Sequence, residues 1–104
     1  MQLLRDHEGL VIQLTDRRFV HILEHPEMRG LVASIEETLA SPEQVLESLS
    51  DPFARLYYRH YERTPVGAKF LCVVVKVSGE SAFVLTAYLT NRVKRGIPLW
   101  PTNR

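Results

Sequence analysis

The chain holds a single cysteine, Cys72, and so cannot form an internal disulfide; set in an apolar run, that thiol reads as packing and not as a nucleophile. No apolar stretch is long enough to cross a bilayer, which argues against a membrane protein. A basic start followed by an apolar run is also missing from M-Q-L-L-R-D-H-E-G-L, so no secretory leader is expected and a cytoplasmic location is. Repeats and low-complexity segments are absent. So are the cysteine clusters that mark zinc fingers, and a glutamate next to His21 of the kind that marks zinc proteases. His21 and His25 are four apart, a spacing that suits a metal on a helix, but Pro26 disfavours helical geometry at His25. No metal and no cofactor is expected.

What remains is 104 residues, 45% hydrophobic and 24% charged, enough for one core and one domain over residues 1–104. The net charge of +1 conceals two poles. Residues 1–50 carry four bases against nine acids, and residues 51–104 nine bases against three, or −5 and +6. A basic half is the footprint of a surface that meets phosphates.

The pattern is organised by Lys69 to Thr90, K-F-L-C-V-V-V-K-V, S-G-E-S, A-F-V-L-T-A-Y-L-T. The first arm is dense in β-branched and aromatic residues and should lie mid-sheet; Gly79 supplies the turn. Alternation along the second arm sends Phe83, Leu85, Ala87 and Leu89 to one face and Ala82, Val84, Thr86 and Tyr88 to the other. The latter face ends in two hydroxyls, although Thr and Tyr are also simply good strand formers.

Before it, residues 2–5 and 10–14 read as short strands around a turn that leaves His7 exposed. Thr15 or Asp16 caps a helix that runs to Pro26, burying Phe19, Ile22 and Leu23 and leaving Arg17, His21 and Glu24 outward with Arg18 beside them. A second helix opens at Met28 or Arg29, buries Leu31, Val32, Ile35 and Leu39, and ends near Ala40. Ser41-Pro42-Glu43 reads as the cap of a short helical turn through Val45 and Leu46. Arg55 to Glu62 alternates as a strand, with Arg55, Tyr57, Arg59 and Tyr61 on one face. Interleaved arginines and tyrosines suit RNA, guanidinium groups meeting phosphates and rings stacking on bases. N-R-V-K-R-G-I-P-L-W-P-T-N-R forms a basic final loop or edge segment with Trp100 docked on the body. The architecture expected is α+β, two N-terminal helices packed on a small antiparallel sheet built mainly from residues 55–90, with short strands at the start.

The string R-R-F-V-H-I-L-E-H-P-E, the P-E-Q-V step, the strand L-Y-Y-R-H-Y and the strand V-L-T-A-Y, in this order from about Arg18 to Lys94, resemble the phage-associated branch of the barnase, EndoU, colicin and RelE-like nucleases. The resemblance implies a metal-independent endoribonuclease acting on RNA of the tRNA or mRNA class, toxin-like or phage-associated. An antitoxin, immunity or phage protein is then a possible partner. It points to His21, Arg59 and Thr86 as catalytic, with Tyr88 beside them, and to Arg18, His25, Tyr57, Lys69 and Lys94 as substrate-binding. In that chemistry the 2′-hydroxyl attacks the adjacent phosphate and leaves a 2′,3′-cyclic end. His21 moves protons, Arg59 grips non-bridging oxygens and Thr86 or Tyr88 orients the phosphate. The scheme requires His21 to face Arg59 and Thr86 across one cleft. Two other readings compete with it. A basic, tyrosine-bearing sheet could hold nucleic acid without cutting it, or dock an acidic protein partner.

Overall fold

The computed structural model describes residues 1–101. Its elements are β1 (Gln2–Arg5), β2 (Val11–Leu14), α1 (Asp16–Leu23), a 3-10 turn (Pro26–Met28), α2 (Val32–Ala40), β3 (Gln44–Ser48), β4 (Ala54–Tyr61), β5 (Lys69–Ser78), β6 (Ser81–Thr90) and β7 (Gly96–Trp100). All strands join one seven-stranded sheet in the order β1-β2-β6-β5-β4-β3-β7. β5 takes the central place its β-branched sequence demands. The β5–β6 hairpin closes through Gly79, whose φ of +60° is what a tight turn of type II′ requires at its first position.

This overturns the expected small antiparallel sheet carrying two N-terminal helices. The first strand starts at residue 2, β2 pairs with β6 in parallel, and the helices are short insertions between β2 and β3. Residues 44–48 form a strand where a helical turn was expected. The local cap signal at Ser41-Pro42 is outweighed by the pairing of Val45 and Leu46 with β4 on one side and β7 on the other.

Both helices lie on one face. α1 is capped by Thr15, whose Oγ1 accepts the Arg18 N–H at 3.2 Å, and it buries Ile22 completely. The core on this face gathers Leu4, Ile12, Leu14, Ile22, Met28, Ile35 and Leu39 with Tyr57, Leu71, Val73, Val75, Val84 and Ala87 from the sheet. Burying a side chain such as Ile22 is worth about 1.5–3 kcal/mol, which is how an eight-residue helix stays formed. The opposite face carries no helix. It holds a smaller cluster of Leu46, Leu56, Tyr58, Cys72 and Val74, with Phe70, Leu85, Tyr88 and Val93 packed on it.

A register shift sits between Val74 and Val75 where they meet β6. It breaks the alternation expected of β6. Ala82 and Val84 face the helices, as do Ala87 and Leu89, while Leu85 joins Tyr88 on the open face. One extra residue in one strand reverses the side-chain direction beyond it.

The sheet is far from flat. β1 and β7 are opposite edges, six strand spacings or ~29 Å apart in a flat sheet. Yet the His7 ring, in the β1–β2 turn, lies 4.8 Å from the Trp100 ring. Nearby, the Tyr57 hydroxyl of β4 donates to Asp6 Oδ2 at 2.7 Å. Twist brings these two corners together over the helix-bearing face. His7 is therefore not the exposed turn residue expected: its side chain is only 10% exposed, and both ring nitrogens are buried without a hydrogen-bond partner among the described residues.

Candidate nucleic-acid interface

The open face is defined by its rungs. His60, Phe70 and Thr90 form one; Gln44, Tyr58, Cys72 and Tyr88 the next but one; Leu46, Leu56, Val74 and Thr86 the one after that. Residues 91–95, the segment N-R-V-K-R between β6 and β7, cross this face. The crossing follows from register. β6 ends with Thr90 beside Phe70, whereas β7 begins with Gly96 beside Ser48, at the other end of the sheet and four strands away. In a flat sheet those points are ~28 Å apart, more than the ~21 Å that six residue steps can span. The diagonal from β6 to β7 must bow toward the open face, as twist makes it do. The segment lies in the resulting trough, after a bend at Asn91 and Arg92.

Val93 packs into the apolar cluster, the Lys94 backbone N–H donates to the Tyr58 hydroxyl at 3.2 Å, and the Lys94 ammonium lies 5.7 Å from the centre of the Tyr88 ring. At the start of the segment the Lys69 ammonium donates to the Asn91 side chain. Arg92, Lys94 and Arg95 stay exposed. None of the ion pairs among the described residues includes them.

Beneath this strap Tyr58 and Cys72 are fully buried. Burial pushes the Tyr58 hydroxyl up to about 12 and raises the Cys72 thiol, which stays protonated and inert at neutral pH. Burial, followed by Cys72, likewise raises Tyr88 above the usual phenol range. Among the described residues the Tyr88 oxygen has no hydrogen-bond partner. Phe70, at the open end of the strap, is met edge-on by His60, with ring centres 4.9 Å apart, and by Tyr58 at 6.4 Å.

The expected site residues fall into three places. Thr86, Tyr88 and Lys94 lie on the open face, and Lys69 adjoins it. Arg18, His21 and His25 belong to α1 and its C-terminal end, on the other side of the sheet; the two imidazoles meet edge-on at 6.4 Å. Arg59 and Tyr57 lie between the sheet and the helix layer. Arg59 Nη1 donates to the Ser41 carbonyl at 2.7 Å and Nε lies 3.5 Å from Glu37, so this guanidinium closes the C-terminus of α2. Tyr57 is fully buried with its hydroxyl on Asp6, and burial raises its pKa. Tyr57 is thus removed from any substrate surface, a correction to its expected role. The interleaved Arg–Tyr face of β4 points into the protein. The hollow that was to unite His21, Arg59 and Thr86 does not form, because the sheet stands between Thr86 and the other two.

Reading the sequence passed over Arg92, Arg95, His60 and Phe70 as site residues. The basic run N-R-V-K-R was visible, but only the register of β6 and β7 shows that it crosses a sheet face. Among the described residues no group of three histidine, cysteine or acidic side chains is placed to hold a metal, and no helix is long and apolar enough to cross a membrane. No family model matches the chain, and no curated protein or solved structure does.

Proposed function

We propose that this chain binds RNA on the open face of its sheet. One observation carries the reading: three exposed cations, Arg92, Lys94 and Arg95, cross an aromatic-bearing sheet face with no carboxylate paired to them among the described residues. Guanidinium and ammonium groups favour phosphate oxygens, and rings beside them favour unstacked bases. The helix layer mixes exposed Glu24, Glu36 and Glu37 with exposed Arg17 and Arg29, and so offers no comparable run of unpaired cations among the described residues. Filter binding of labelled RNA tests this: retention of intact RNA that is lost in the Arg92→Gln, Lys94→Gln, Arg95→Gln variant supports it. Retention unchanged by that variant rejects it.

A ribonuclease reading comes second, favoured by one feature of α1. Arg17, Arg18 and His21 line a surface depression of about 570 Å3 together with Asp16, Val20 and Glu24. An imidazole flanked by two guanidinium groups has the chemistry to take a 2′-hydroxyl proton, hold the phosphate beside it and return the proton to the departing 5′-oxygen. Thr86, Tyr88 and Arg59 take no part in this version. Its test is cleavage of an oligoribonucleotide to a 2′,3′-cyclic phosphate that disappears in His21→Ala. Cleavage that persists in the variant, or none by the native chain, removes it.

A further inference from the structure

The geometry points to a single-stranded tract of about four nucleotides as the ligand of the open face, its phosphates along Arg92, Lys94 and Arg95 and one base at Phe70; this rests on the RNA reading above. The strap bends at Asn91 and Arg92, where Thr90 Oγ1 accepts the Arg92 N–H, and presents Arg92, Lys94 and Arg95, all exposed, within four consecutive residues. Three cations so close along the chain suit neighbouring phosphates of one strand. At its Thr90 end the strap reaches the rung of Phe70 and His60, both partly exposed. A base offered there needs a free face, which a duplex does not provide. Single strands stack on such rings without sequence preference, by an amount equivalent to roughly five- to 150-fold in affinity per base. A chain of acidic residues alone would satisfy the cations but has no ring to place on Phe70, so the aromatic end of the strap favours RNA.

Three neutralised phosphates also fix the salt response. For single strands the slope of log affinity against log salt is about −0.7 per phosphate, or about −2 here.

Fluorescence anisotropy of the whole chain with labelled oligouridylates of increasing length, a blunt RNA duplex and polyglutamate tests the assignment. Affinity is expected to rise to about four nucleotides and then level, with a salt slope near −2 and at least tenfold preference over the duplex. Replacing all three strap cations by Gln should flatten the slope toward zero. Phe70→Leu, which keeps an apolar side chain in the cluster, should lower affinity about tenfold and leave the slope unchanged. Equal binding of duplex and single strand, or a slope untouched by the strap variant, overturns the single-strand assignment while leaving RNA binding in place. Failure of every oligonucleotide to bind overturns the RNA reading itself. Polyglutamate bound as tightly as RNA assigns the strap to an acidic partner and overturns both.

Discussion

The Tyr57 hydroxyl donates to Asp6 Oδ2 at 2.7 Å, although the two residues stand 51 apart in the chain and β1, which ends just before Asp6, lies four places from β4 in the sheet. Asp6 is 5% exposed, and its other oxygen accepts the N–H groups of Glu8 and Leu10, each at 2.9 Å. The carboxylate thus shapes the β1–β2 turn and ties it to β4. Tyr57→Phe removes one charge-assisted bond and leaves that lone pair buried. It should cost about 1.5–3 kcal/mol, seen as a lower urea midpoint at unchanged m-value.

His7 predicts a change of the opposite sign. Its ring packs against Tyr57 and Trp100; among the described residues its nitrogens make no hydrogen bond, although Nε2 lies 3.4 Å from Glu8 Oε1 and Nδ1 3.9 Å from Asp6 Oδ2. His7→Phe keeps the ring and removes two buried polar atoms that only approach these carboxylates, so stability should hold or rise by up to about 1 kcal/mol. A fall of several degrees in thermal midpoint would show that the ring nitrogens have a role this packing does not reveal.

The four tyrosines set an alkaline limit. Burial is the largest cause that raises each of Tyr57, Tyr58, Tyr61 and Tyr88 above the ordinary phenol value, and it brings Tyr58 to about 12. The neutral form is the one the fold retains. At pH above about 10 the unfolded chain loses phenol protons that the folded chain keeps, so stability is intact below about pH 10 and falls as pH rises toward 12. Absorbance at 295 nm should stay flat past pH 10 and then rise in one step coincident with loss of circular dichroism. A gradual rise centred near pH 10 in the folded protein would contradict the burial.

Much of the strand pattern was legible because it rests on local chemistry. The β-branched run of β5, the Gly79 turn and the Thr15 cap are each a few adjacent residues whose preferences agree with the fold. What could not be read depends on pairing at a distance. Val45 and Leu46 became a strand because two neighbours supply hydrogen bonds, and the alternation of β6 failed at a register shift fixed jointly with β5. The candidate site suffered from the same limit. Lys94 was a substrate candidate and lies in the strap, but Tyr57 and Arg59, whose interleaved pattern suited RNA, are enclosed once the helices cover that face.

Gly96 marks where the strap turns into β7. A Cβ there would lie 2.7 Å from the Glu47 carbonyl oxygen and 3.0 Å from Leu46 Cβ, neither of which can swing away. Gly96→Ala should loosen β7 from β3 at about 1–3 kcal/mol. Trp100, the only tryptophan, is partly buried at the other end of β7 and reports it. Its emission should shift to the red and the strap variant's effect on RNA affinity should shrink.

Arg59 separates the two faces most sharply. Its bond to the Ser41 carbonyl and its approach to Glu37 place it at the end of α2, where a cation meets the negative end of the helix dipole. Arg59→Ala should lower stability by about 1–2 kcal/mol through loss of a charge-assisted bond to the Ser41 carbonyl. Arg59→Lys keeps the charge but not the fork and should recover only part of it. At a temperature where both variants are folded, RNA affinity should stay within twofold of the native chain, because the guanidinium lies on the far side of the sheet from Arg92 and Lys94. A tenfold loss of affinity in folded Arg59→Ala would move the phosphate contacts to the helix-bearing face, where His21 lies, and would restore the ribonuclease reading at the expense of the strap.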